Sequence, residues 1–324
     1  SAVSMICMLP SNVAFATSAQ RIFAGSNSFS LIAIPFFILA GNIMNNGGIA
    51  LRLVNCAKVI GGRMPGALAQ SNVIANMLFG AISGSGAAAA AAIGSTMGPL
   101  EEAEGYDKNY SAAVNVASAP VGMLIPPGIA FVVYAMNTNT SVLKLFMGGL
   151  SSGIVMAAIF MVYVYVYARR HKVPRLPRIS LKEFFTAVKE AIWALGLPVI
   201  IIGTMYTGIC TPTEAAAISA VYAIFVEMVI YKDVDFKTLI DICGDCAKTV
   251  CTIYILLAAG QLLGYMMTLA RIPQLMEAML GSTSRLMILL VINIMFLIAG
   301  MFMGAGSSIV IIMPMVYQLA LKAG

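Results

Sequence analysis

Charge is what this sequence has least of. Only 10% of its 324 residues are Asp, Glu, Lys or Arg, while 60% are hydrophobic; soluble domains carry about 25% charged residues. The mean hydropathy of +0.93 excludes a water-soluble fold. There is one histidine, His171, in a basic loop without a partner for proton transfer. Glu214 and Glu227 are isolated carboxylates, and no glycine-lysine-serine phosphate loop occurs, so neither acid–base catalysis nor ATP hydrolysis is expected. This is not the sequence of an enzyme. Of six cysteines, Cys243, Cys246 and Cys251 cluster, but a zinc site needs a fourth ligand that is missing nearby. The net charge of +6 has no basic face with interleaved aromatics, which excludes nucleic acid as a partner. The opening Ser1-Ala2-Val3 lacks an initiator methionine, a basic n-region and a cleavage site, so it is not a signal peptide. We expect a chain cut at both ends.

What is abundant is apolar runs long enough to cross a hydrocarbon core of about 30 Å. They lie near 28–45, 112–135, 146–168, 193–209, 213–231, 250–269 and 286–303. In lipid such runs must be helical, because a helix satisfies its own backbone groups. Arg169, Arg170, Lys172, Arg175 and Arg178 follow the run ending at Ala168, which places that loop in the cytoplasm. Counting crossings from it puts Arg52, Lys58, Arg63, Lys108, Lys232, Lys237 and Lys248 on the same side. Residues 179–192 space Leu181, Phe184, Phe185, Val188 and Ile192 as one helical face. They predict an amphipathic arm on the membrane surface, either a lever or a plain connector.

An internal repeat organises the chain. Residues 37–47 resemble 256–266, pairing Gly41 with Gly260, and 80–86 resemble 300–306, pairing Gly84 with Gly304 and Gly86 with Gly306. The offsets are 219 and 220 residues. Five crossings separate the first pair, and an odd number inverts the copies. Inverted repeats with interrupted helices mark secondary transporters. The predicted fold is an all-α polytopic membrane protein with two re-entrant hairpins and broken helices. Its first repeat covers 1–136, with hairpin 71–100 and broken helix 110–136. Connecting helices, with the basic loop and arm, occupy 137–209. An incomplete second repeat, with hairpin 286–322, occupies 210–324, and its partner broken helix is expected near position 346, by the same offset.

The chemistry is expected where helices break. At the first tip the Ser83 and Ser85 hydroxyls and freed backbone of Gly84 and Gly86 would line a polar cavity. Hard cations such as sodium favour such oxygens. The same small residues also suit close helix packing. In Val121-Gly122-Met123-Leu124-Ile125-Pro126-Pro127-Gly128 two prolines remove two donors and leave carbonyls without helical partners. Half-helix ends there suit an anionic substrate and cations. Asn115 and Ser118, one to two turns earlier, would add polar contacts. The second tip is Gly304-Ala305-Gly306-Ser307-Ser308.

Five stretches occur in family order: Ile34-Pro35-Phe36-Phe37-Ile38-Leu39-Ala40-Gly41; Ser83-Gly84-Ser85-Gly86-Ala87 to Gly94; Glu104-Gly105-Tyr106-Asp107; Leu124-Ile125-Pro126-Pro127-Gly128; and Thr211-Pro212-Thr213-Glu214-Ala215-Ala216-Ala217. Together they resemble the large membrane subunit of tripartite ATP-independent periplasmic (TRAP) transporters. The resemblance implies an elevator-type importer in the inner membrane of a bacterium or archaeon. It implies a small four-helix membrane subunit and a periplasmic binding protein that delivers C4-dicarboxylate, sialic acid or another carboxylate. Sodium would bind at Ser83, Gly84, Ser85, Gly86, Gly122, Pro126 and Pro127, and at Gly304, Gly306 and Ser307. Two positions depart from the family pattern: Gly304 or Ala305 stands where an aspartate is usual, and Gly128 where a serine is. Both remove side-chain oxygens. A stand-alone sodium/dicarboxylate symporter of the related superfamily, needing no binding protein, fits the same repeats, and a membrane scaffold or channel subunit is the alternative from another class.

Overall fold

The computed structural model describes residues 10–27, 29–62, 64–171, 173, 181–280 and 284–323. They form α1 (Ser11–Ser26), a 3-10 turn (Phe29–Ile32), α2 (Ala33–Asn46), α3 (Ile49–Gly61), α4 (Ala67–Ser83), α5 (Gly86–Ala103), α6 (Lys108–Leu124), α7 (Ile129–Thr138), α8 (Val142–Arg170) and α9 (Leu181–Tyr206). Then come α10 (Pro212–Phe225), continued by a π-helical turn (Val226–Tyr231), α11 (Phe236–Leu269), α12 (Ile272–Leu280), α13 (Arg285–Phe302) and α14 (Ala305–Ala323). Among the described residues there is no strand.

Five helical stretches within these are long and apolar enough to cross a membrane: α8, Lys182–Tyr206, Pro212–Tyr231, α11 and α13. Two bent pairs, α2 with α3 and α6 with α7, would make seven if each pair is one span. The chain is a multi-pass membrane protein, and its surface agrees. Ile154, Val155, Ile159 and Val162 of α8 are each more than half exposed, a ridge that water would penalise and acyl chains match.

The chain divides into two compact units. The larger comprises Ala33–Ile129 and Val142–Cys246. At its centre is α4, of which only Met77, Leu78 and Ser83 are even partly exposed. A helix apolar all round belongs in an interior, and α3, α5 and α6 all pack against α4. Helix α2 packs on α10, and α9 on α3. The start of α10 is fixed by a capping box: the Glu214 N–H donates to Thr211 Oγ1, while the Thr211 N–H donates to Glu214 Oε2 at 2.7 Å. The smaller unit comprises Ser1–Ile32, Ala130–Ser141 and Ala247–Gly324. Its core is Ile312, Met313 and Val316, packed by Tyr134, Ile292, Met295 and Phe296. The Tyr317 hydroxyl donates to the Thr138 carbonyl at 3.0 Å.

Three features differ from the sequence expectation. The arm and the crossing after it are one continuous helix, α9, of 26 residues. Such a helix is about 39 Å long, so its exposed first turns, with Lys182, Glu183 and Thr186, can emerge from the hydrocarbon without a break. Ile179, Ser180, Lys172, Arg175 and Arg178 lie outside the described residues, as does Arg63. Arg52 and Lys58, expected in a loop, are on α3, which buries Leu53, Val54, Cys56 and Ala57 on its other face. The run 28–45, expected to cross directly, becomes α2 and then turns by 76° into α3 at Gly47-Gly48, where no Cβ obstructs the turn.

Candidate functional site

The chain breaks its helix at the first predicted tip, and the break favours glycine. Helix α4 ends at Ser83, Gly84 adopts φ +63°, and Ser85 is extended at φ −132° before α5 begins. A residue with a Cβ in that left-handed conformation costs about 1–2 kcal/mol. Both serine hydroxyls have structural work. Ser85 Oγ accepts from the Ala88 N–H at 3.3 Å as the cap of α5. Ser83 Oγ accepts from the Ser85 N–H at 3.4 Å and donates to the Ser85 carbonyl at 3.3 Å. The turn is therefore closed on itself, with both oxygens only half buried.

The structure brings this tip to the proline break. A Cβ on Gly84 would lie 3.5 Å from the Pro127 carbonyl oxygen and 3.3 Å from the Ile129 side chain; one on Gly86 would lie 2.9 Å from Met123 Sδ. Ile125 leaves the helix at ψ 127°, its N–H donating to the Gly122 carbonyl at 3.1 Å. Pro127 has no N–H, so the Met123 carbonyl loses its helical donor. The Pro126–Pro127 bond is cis. Pro126, Pro127 and Gly128 are buried. Gly122 serves close approach: a Cβ there would meet the Asn76 carbonyl at 2.5 Å and Gly80 Cα at 2.5 Å. Gly41 plays the same part on α2, where a Cβ would stand 3.0 Å from the Ile82 carbonyl and 3.2 Å from that of Ser83. Ser83 to Gly86, Gly122, Pro127 and Gly41 thus form one neighbourhood.

Asn115 and Ser118 lie in a buried polar chain beneath it. Asn76 on α4 donates through Nδ2 to Asn72 Oδ1 at 2.8 Å, Ser118 Oγ at 2.9 Å and Asn115 Oδ1 at 3.0 Å. Asn115 Nδ2 donates to the Ala90 carbonyl of α5 at 2.8 Å, and Asn72 Nδ2 to Glu101 Oε1 at 3.1 Å. These five side chains tie both hairpin arms to α6, and all are buried. Asn72, Asn76 and Glu101 escaped the sequence analysis. Their signal was the spacing of Asn72 and Asn76 by one turn inside a mostly apolar helix.

The base of the hairpin is also fastened. Gly105 turns at φ +81°, Tyr106 is buried with its hydroxyl accepting from the Leu68 N–H at 3.3 Å, and Asp107 caps α6 by accepting from the Tyr110 N–H at 2.9 Å. Burial pushes the Tyr106 hydroxyl up to about 12, so it stays neutral. His171 stacks on Tyr167 with ring centroids 4.0 Å apart, packing rather than proton transfer.

The second tip also interrupts a helix at a glycine, but with a different backbone, since Gly304 is not left-handed as Gly84 is, and with different surroundings. Helix α13 ends at Phe302, Met303 is extended at φ −133°, and α14 begins at Ala305. The Gly304 carbonyl accepts from the Ser308 N–H at 3.0 Å and its hydroxyl at 3.1 Å. A Cβ on Gly304 or Gly306 would meet nothing within 4 Å, and Ser307 is half buried. The structure does not gather Gly304, Gly306 and Ser307 around any described partner group. Among the described residues no cluster of three or more His, Cys, Asp or Glu could hold a metal.

Comparison with known proteins gives one consistent result. The family profile described as the DctM component of the tripartite ATP-independent periplasmic transporter matches residues 1–324. The chain is 42% identical to YgiK of Salmonella typhimurium, over 99% of this chain and 74% of that protein. It is 39% identical to the C4-dicarboxylate TRAP transporter large permease protein DctM of Pseudomonas aeruginosa, over 94% of this chain and 72% of that one. It is 40% identical to the isethionate TRAP transporter permease protein DctMQ of Oleidesulfovibrio alaskensis, over 94% of this chain and 49% of that one.

Proposed function

The chain belongs to the DctM family of TRAP transporter large permease components, and from that premise we propose that it is the transport core of a sodium-driven importer of organic acids. The observation that carries the proposal is the meeting of the Ser83–Gly86 turn with the Pro127 carbonyl within one compact unit. That meeting sets hydroxyl and carbonyl oxygens beside an interrupted helix, the donor set a hard monovalent cation requires. Ser83, Ser85 and the carbonyls of 123–127 would hold sodium. The ion would supply positive charge for a substrate carboxylate in a setting otherwise poor in cations. Relatives named for C4-dicarboxylate and isethionate support an acidic substrate class. A small membrane subunit and a periplasmic binding protein complete the system, and the elevator motion and inverted repeats are part of the same proposal.

The test is uptake of labelled C4-dicarboxylates and sulfonates into proteoliposomes holding the full-length protein with both partners. Uptake that requires an inward sodium gradient is expected. Uptake indifferent to sodium would refute ion coupling, and uptake undiminished without the binding protein would favour the stand-alone symporter.

A further inference from the structure

The Gly47-Gly48 elbow between α2 and α3 carries a charge cluster that no part of the transport site uses. Arg52 on α3 donates to Asp233 Oδ2 at 2.5 Å, and the Gly48 N–H donates to the same oxygen at 3.1 Å. The Arg52 guanidinium lies 3.8 Å over the Tyr231 ring, whose hydroxyl donates to the Glu190 backbone carbonyl of α9 at 2.5 Å. Glu227, in the π-helical turn, is 0% exposed, and neither of its carboxylate oxygens has a hydrogen-bond partner. Its carboxylate occupies the space a side chain at position 47 would take: a Cβ on Gly47 would overlap Oε2 and stand 2.6 Å from Oε1. Turns of π-helix inside α-helices are frequent at functional sites.

We propose that this elbow is a proton-binding site and that Glu227 holds the proton. The argument is one of charge and space. One guanidinium serves two carboxylates at this elbow: Arg52 is bonded to Asp233, and the Glu227 carboxylate lies against the neighbouring Gly47. Lys232 forms no ion pair within 4 Å among the described residues, and Glu190 on α9 is exposed. A buried carboxylate without compensation costs several kcal/mol and is neutralised instead. The carboxylate lies against the Gly47 backbone, where a proton needs no volume and a hydrated metal ion would need a cavity. When the proton leaves, the Glu227 anion competes with Asp233 for Arg52. Asp233 is also the acceptor that holds the Gly48 N–H, so proton release loosens the elbow. The inference is independent of sodium coupling at the hairpin tip.

Infrared spectra of the purified full-length protein, titrated from acid to alkaline pH, test it. A deuterium-sensitive band of a protonated carboxyl is expected to disappear as pH rises, and to be missing in Glu227→Gln. Because the proton belongs to the native state, wild-type melting temperature should fall with rising pH relative to that of Glu227→Gln. A band retained in Glu227→Gln, together with parallel melting profiles, overturns the proposal. If Glu227→Gln does not fold, Asp233→Asn serves instead. It leaves one carboxylate for one guanidinium and is expected to lose the band, and its persistence there overturns the proposal equally.

Discussion

Replacing Asn76 by alanine removes one amide from the middle of α4 and should damage the molecule more than its single-residue size suggests. Four oxygens surround its Nδ2: Asn72 Oδ1 at 2.8 Å, Ser118 Oγ at 2.9 Å, Asn115 Oδ1 at 3.0 Å and the Asn115 carbonyl at 3.3 Å. The amide has two hydrogens, so two buried acceptors lose their donor. Each buried group left unpaired costs about 1–3 kcal/mol, and Asn76 is 0% exposed, leaving water no entry. A destabilisation of about 2–6 kcal/mol is expected from those two acceptors. The assay is thermal or denaturant unfolding of the full-length protein in detergent. Gln70→Ala is the comparison, since Gln70 makes a single bond to the Met161 carbonyl at 2.8 Å and should cost less. A double-mutant cycle with Ser118→Ala isolates the network, with a coupling of at least about 0.5 kcal/mol expected for residues sharing one hydrogen bond. A change within about 0.5 kcal/mol for Asn76→Ala, the range of an ordinary surface substitution, would refute the network's role in joining the hairpin to α6.

Ser85→Ala removes the α5 cap, which costs about 0.5–2 kcal/mol, and should raise the sodium concentration needed for half-maximal uptake more than it lowers folded yield; an equal loss of both would make the turn a packing feature. Pro127→Ala restores an N–H at the helix break and is expected to weaken sodium dependence in the same uptake assay, with expression retained. Gly80→Val drives a side chain into the Gly122 backbone, where a Cβ would already stand 2.7 Å from Gly122 Cα, and should abolish folded protein by size-exclusion chromatography. Gly98→Ala, with nothing within 4 Å, should fold at least as well as wild type by the same measure.

The membrane class and most helices were legible because lipid imposes a single rule: about 20 apolar residues in a row. The runs at 146–168, 213–231 and 286–303 became α8, α10 with its π turn and α13 with ends moved by a few residues, while 250–269 became the last part of α11, which begins well before it at Phe236. The helix breaks at Gly84 and Gly304 were legible because these glycines interrupt apolar sequence. Helix α3 was not legible as a helix, since thirteen residues fall short of a span and Arg52 and Lys58 resemble loop charge. The Asn72–Asn76–Asn115–Ser118 chain was half legible. Asn115 and Ser118 stood beside a proline motif that drew attention to them, whereas their partners are distant in sequence and meet only because Gly80 and Gly122 let α4 and α6 approach backbone to backbone.

That approach separates two roles which the repeated glycines had merged. Both tips close locally by bonds from serine: Ser85 caps α5, and Ser308 binds the Gly304 carbonyl. The two breaks differ in backbone, only Gly84 being left-handed, and in what each touches, for Gly84 lies beside Pro127 and Ile129, while Gly304 and Gly306 have open space around them. Oxygens held against a buried, broken helix have fixed dipoles and little water, and electrostatic attraction is stronger in such a setting. Sodium binding at the first tip, as proposed, would depend on the Pro126–Pro127 break and the Gly80–Gly122 contact that brings it there. On this account, moving the turn by inserting a side chain at Gly122 should reduce ion coupling even with every residue from Ser83 to Gly86 intact. A Gly122→Ala protein that folds and retains full sodium dependence would show that the turn alone carries the site.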